Sequence, residues 1–178
     1  EQEIADLRNE LETQAYLLEK LLNELDRIED DPLNVEEEEF VDEDIFRFEG
    51  INDTQSMDEV YESALNALEN DDLENAKKFF DYFLSNFPDA ERIPLVLFWL
   101  GEIAFNDEQY DDSYIYFLEL VLNYESHWRA PQSHKRLGDI YLKRNDVDNA
   151  KVKYNFVLKN YPNNSVSSIV LQILENME

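Results

Sequence analysis

The chain has 178 residues, 42 acidic and 15 basic, for a formal net charge of -27. Such a balance excludes the basic surface that nucleic acid requires, and an anionic membrane would repel it. Without cysteine there is no disulfide, no thiolate catalysis and no cysteine-held metal, and no apolar run approaches the ~20 residues of a membrane helix.

Hydrophobic residues, at 43%, suffice for a core, and three glycines with five prolines predict long helices joined by short turns. The chain begins at Glu1 without methionine, as expected where a signal peptide has been removed, by the cell or in cloning.

Residues 1–28 carry a heptad. Ile4, Leu11, Leu18 and Leu25 fall at a, and Leu7, Gln14, Leu21 and Ile28 fall at d. This spacing predicts a coiled coil that self-associates. Leu17 and Leu22 widen the apolar stripe to g and e, which three strands would cover better than two, so a parallel trimer is expected.

Residues 29–56 hold twelve acids against one arginine and include "EEEE" at 36–39. Pro32 stops the preceding helix, and the charge density resists collapse, as in a linker. Phe40, Val41, Ile45, Phe46 and Phe48 are apolar residues within it that could dock elsewhere.

Residues 57–178 repeat. "NAKKFFDYFLSNFP" from Asn75 returns as "NAKVKYNFVLKNYP" from Asn149. Between them, positions recur every 37 residues: Ala64, Gly101, Gly138; Leu68, Phe105, Leu142; Ala76, Ser113, Ala150; Phe80, Phe117, Tyr154; Phe87, Tyr124, Tyr161. Each unit reads as two antiparallel helices. Small residues let the pair approach, and the aromatic four residues on fills the next turn. Asp71, Asp107 and Asp146 are expected to cap the second helices, and Pro94 and Pro131 suit the first turn of the next unit. One pair cannot bury its own apolar face, but three stacked pairs can.

The spacing resembles the tetratricopeptide repeat, lengthened between units in "FPDAERIP" and "YESHWRAP". The expected fold is all-α: an N-terminal coiled coil, then a helical-hairpin solenoid. Its repeats are 57–93, 94–130 and 131–164, with a capping helix at 165–178.

This layout, with "LFWLGEIAFNDEQYDDSYIYFLELVLNYE" from Leu97, "RAPQSHKRLGDIYL" from Arg129 and the endings "NFP" and "NYP", resembles the periplasmic Tol-Pal-associated family of cell division coordinators (CpoB/YbgF). The resemblance implies a non-enzymatic periplasmic adaptor that trimerises and associates with TolA. Such adaptors help to coordinate outer-membrane constriction with peptidoglycan synthesis. The alternative is a general envelope or cytosolic repeat scaffold for another protein or peptide, such as an outer-membrane assembly factor.

A solenoid of this kind has a concave face that binds proteins. Inward positions on the first helices are Tyr61, Leu65 and Leu68, then Phe98, Glu102 and Phe105, then Lys135, Asp139 and Leu142. The set lacks the lysine-asparagine pattern of chaperone-tail clamps. Residues 57–130 carry 17 acids and 4 bases, and residues 131–178 carry 5 acids and 7 bases, a polarity that would orient a partner. His127 and His134 read as surface histidines with no nucleophile at motif spacing, and "NDVDN" at 145–149 lacks the glycine and glutamate of a calcium loop. No enzyme, metal or cofactor is expected.

Overall fold

A computed structural model describes residues 56–177. The heptad residues Ile4, Leu7, Leu11, Gln14, Leu18, Leu21, Leu25 and Ile28, and the linker residues through Gln55, lie outside the described residues.

The described chain is seven α-helices without a strand: α1 Met57–Glu69, α2 Leu73–Asn86, α3 Ile93–Asn106, α4 Tyr110–Asn123, α5 Ala130–Lys143, α6 Val147–Asn160 and α7 Ser165–Glu175. They form three hairpins, α1/α2, α3/α4 and α5/α6. The second helix of each hairpin packs on the helix that follows it, and α7 closes against α6 and touches α5.

Local chemistry sets each boundary. Ser56 and Glu59 form a reciprocal capping box at α1, with the Glu59 N–H donating to Ser56 Oγ at 3.3 Å and the Ser56 N–H to Glu59 Oε2 at 2.7 Å. Inside each hairpin one residue takes the left-handed backbone: Asp71 (φ 59°), Glu108 (φ 59°) and Asn145 (φ 60°), again 37 apart. The cap is the residue that follows in the outer units. Asp72 Oδ1 accepts the Asn75 N–H at 3.2 Å, and Asp146 Oδ1 accepts the Asn149 N–H at 3.1 Å.

Two expected caps are therefore corrected. Asp71 makes the left-handed turn and leaves capping to Asp72, and Asp107 is the C-cap of α3. In the middle unit the N-cap is Gln109, whose side chain makes no capping hydrogen bond. Each hairpin ends alike: the N–H groups of Phe87, Tyr124 and Tyr161 donate to the carbonyls of Phe83, Leu120 and Val157, each at 2.9 Å.

Helix approach is set by the small residues. A Cβ placed on Gly101 would meet the Phe117 ring at 2.7 Å, and one on Gly138 would meet Tyr154 at 2.5 Å. At the equivalent place in the first hairpin, Ala64 and Phe80 are both fully buried. Ser113 stands where the other units have alanine, and its hydroxyl donates to the Gly101 carbonyl at 2.9 Å, tying α4 to α3.

The last helix packs Val170 on Ala150, Tyr154 and Val157. Ile169 and Leu171 remain 49% exposed, so its outer side is not the polar surface usual in a terminal cap.

Candidate protein-binding face

The first helices α1, α3 and α5 carry all nine residues expected to line a groove. Seven of these residues, Leu65, Leu68, Glu102, Phe105, Lys135, Asp139 and Leu142, are half-buried. Tyr61 and Phe98 lie deeper, at 7% and 2% exposure. Their rings are long enough to reach the second helices: Tyr61 packs edge-on against Phe80 and Phe83, and Phe98 against Phe117. An arginine covers the other side of each. The Arg92 guanidinium lies 4.9 Å from the Tyr61 ring centre, and that of Arg129 lies 4.1 Å from Phe98. Tyr61 and Phe98 thus form a floor under cations.

The polar part of the face is organised by Arg136. Its Nε and Nη2 donate to the two oxygens of Glu102, each at 2.6 Å, and Nη1 donates to Asp139 Oδ2 at 3.2 Å. Lys135 Nζ reaches the same Asp139 oxygen at 2.6 Å, and the Tyr154 hydroxyl donates to Asp139 Oδ1 at 2.8 Å. The guanidinium also lies 4.8 Å from the Phe105 ring centre.

Burial opposes the Arg136 charge, but hydrogen bonding and attraction from Glu102, with Asp139 behind it, hold the guanidinium above the usual arginine value. Burial, reinforced by Asp139, pushes the Tyr154 phenol well above its ordinary range. Side-chain exposures of 14% to 26% across the network mean that water screens it little. The result is a rigid seam joining α3, α5 and α6.

Sequence reasoning placed Glu102, Lys135 and Asp139 on this face but passed over Arg136. A signal was available. Arg92 pairs with Asp58 and Arg136 with Glu102, each bridging 34 residues from one first helix, or its leading edge, to the previous one.

The histidines divide. His127 is half-buried; burial and Arg129 hold its imidazole below the ordinary value. His134, expected on the surface, is 8% exposed against Phe156 and Tyr161, with Nδ1 buried and without a hydrogen-bond partner among the described residues. Burial, with Lys153 adding to it, takes its pKa down to about 3. Among the described residues no set of His, Asp and Glu is placed to hold a metal ion, and no helix is long and apolar enough to cross a membrane.

Residues 136–164, most of the third hairpin, match the tetratricopeptide repeat family. No curated protein matches the chain in sequence. Among solved structures, the N-terminal domain of stress-induced protein-1 (STI-1) from C. elegans is similar, with a TM-score of 0.54 and 13% identity over 65% of this chain and 92% of that one. A Bacteroides ovatus structure shows a TM-score of 0.44 and 17% identity, covering 69% of this chain and 65% of that one. The described residues thus have a tetratricopeptide-repeat-like fold of stacked helical hairpins.

Proposed function

We propose that this protein is a non-enzymatic scaffold whose first-helix face docks a segment of another protein. The observation that carries the reading is the Glu102–Arg136–Asp139 seam. It ties the neighbouring first helices α3 and α5 together with Phe105 beside it, while Leu142, packed by one side on the α6 core, and Leu65 and Leu68 on α1 stay half-exposed. A rigid row of apolar steps with a fixed polar edge is what a docked segment needs, because little ordering remains to be done on binding. Random peptides displayed on phage and selected on the full chain test it. Phe105→Ala or Leu142→Ala should weaken the selected peptides about tenfold, in the range of an interface anchor. Unchanged binding in both variants, each with an intact helical signal, contradicts the proposal.

The narrower form makes the scaffold a periplasmic Tol-Pal adaptor that trimerises through residues 1–28 and contacts a TolA-like protein. It is supported by the heptad, the acidic linker and the aromatic-proline unit endings in one chain. Pull-down from envelope extract tests it: recovery of Tol components that is lost on Phe105→Ala supports the adaptor. Their absence leaves the general scaffold as the reading.

A further inference from the structure

Four arginines lie among the described residues, in a chain with 42 acids. Arg92 pairs with Asp58, Arg136 with Glu102 and Asp139, and Arg144 with Asp111. Arg129 pairs with no carboxylate among the described residues. Among the described residues its one side-chain hydrogen bond runs from Nη1 to Gln132 Oε1 at 2.5 Å, and its buried Nε finds no acceptor.

The repeat explains what is missing. Arg92 and Arg129 are 37 residues apart, each at the N-cap of a first helix and each above the aromatic of the previous unit, Tyr61 or Phe98. The residue 37 after Asp58 is Leu95, half-buried in the first turn of α3. The cation slot is therefore repeated, while its carboxylate is replaced by an apolar side chain. Glu102 is near enough to act on the Arg129 charge, but both its oxygens are taken by Arg136.

Aromatic groups surround this guanidinium. It lies 4.1 Å from the ring centres of Phe98 and Trp128 and 5.6 Å from that of Trp99. Trp128 is 62% exposed, and the Arg129 N–H donates to His127 Nδ1 at 3.3 Å, which braces the loop. A guanidinium placed among rings keeps N–H groups that can meet a planar carboxylate, and the neighbouring indole offers apolar area beside it.

We infer that Arg129, with Trp99 and Trp128, is a subsite for an aspartate or glutamate side chain adjoining an apolar residue in the docked segment of a partner protein. The inference rests on the proposed docking face and gives its ligand a chemistry. The ligand's carboxylate takes the place that Asp58 holds in the preceding unit. The surrounding negative charge then favours a segment with one well-placed acid over a run of acids.

The test uses the full chain and peptides selected from a random phage-displayed library, synthesised with amidated C-termini to remove the terminal carboxylate. Trp99 and Trp128 are the only tryptophans in the sequence, so intrinsic fluorescence reports on the site. Changing the peptide's acid to its amide should weaken binding about tenfold or more, the scale of a charge-assisted pair. The same change should have little effect on Arg129→Gln. Leu95→Asp restores the internal partner. It should raise the melting temperature and weaken the acidic peptide to the level of its amide form.

An acid-to-amide effect equal in parent and Arg129→Gln, or Leu95→Asp binding like the parent, overturns the subsite. If Phe105→Ala still weakens those peptides, the docking face itself stands. Peptides indifferent to Phe105→Ala, Leu142→Ala and Arg129→Gln overturn both, as does failure to select any peptide. Should Arg129→Gln unfold the chain, Leu95→Asp decides alone.

Discussion

The Tyr154 ring lies so close to Gly138 that a Cβ there would stand 2.5 Å from Cε1, while the hydroxyl of the same ring donates to Asp139 Oδ1 at 2.8 Å. One side chain thus enforces the close approach of α5 and α6 and fixes a carboxylate on the first-helix face. Core packing and site geometry in the third hairpin are not separable.

Gly138→Ala should therefore displace Tyr154 and loosen Asp139. Alanine gains helix propensity over glycine by about 1 kcal/mol, but overpacking of a buried ring costs about 1–3 kcal/mol. Net destabilisation is expected, and Gly101→Ala should behave likewise against Phe117. Gln109→Ala, at an exposed turn, should change the melting temperature little. Thermal unfolding of the three variants checks the ordering.

The middle hairpin has no side-chain cap at its second helix, whereas Asp72 and Asp146 cap the other two. Asp72→Ala and Asp146→Ala should each lower the urea midpoint, because each removes a side-chain cap. Gln109→Asn should stabilise by up to about 1 kcal/mol, because its oxygen can accept the Asp112 N–H without adding charge. Urea unfolding with an unchanged denaturant slope is the measurement.

Breaking the seam at one partner should be worse than removing it whole. Arg136→Met leaves Glu102 without its partner in a partly desolvated place, for an expected loss of about 1–3 kcal/mol. Glu102→Leu with Arg136→Met should recover part of that loss. A double-mutant cycle in which the two changes simply add would show that the pair carries no coupling.

His134 sets a pH dependence. Its folded value of about 3 lies below the unfolded 6.5, so the unfolded chain binds the extra proton as pH falls. Its stabilising contribution is complete above about pH 6.5 and declines toward pH 3, by about 1.4 kcal/mol per pH unit through the middle of that window. Carboxylates change the total in the same range, so the quantity to measure is the difference between parent and His134→Phe. The parent should lose stability relative to that variant between pH 7.5 and 5.5. Parallel curves for the two proteins would contradict it.

The repeat is legible in the sequence because its spacing records a contact. Gly101 and Gly138 must be small where Phe117 and Tyr154 cross, and the same need puts alanine at 64. The turn is less legible: Asp71 and Asp72 are the same residue type, and only backbone conformation decides which turns and which caps. Arg136 is hidden because its partners lie on two elements. Helix spacing exposes Lys135 with Asp139, but the bidentate bond to Glu102 follows from stacking of units. Tyr61 and Phe98 share the register of Lys135, yet rings at that position reach the core, whereas the lysine stem stays at the edge. His134 reads as polar in sequence and is buried because Phe156 and Tyr161 close over it.

Everything functional here depends on the first-helix face being the place where a partner binds. The most direct measurement is a titration of one selected peptide against the parent, Phe105→Ala and Leu122→Ala, the last a 59%-exposed leucine on the second helix α4. Phe105→Ala is expected to weaken binding about tenfold, with Leu122→Ala unchanged. Weakening by Leu122→Ala with none from Phe105→Ala would contradict the first-helix face and move the interface to the second helices.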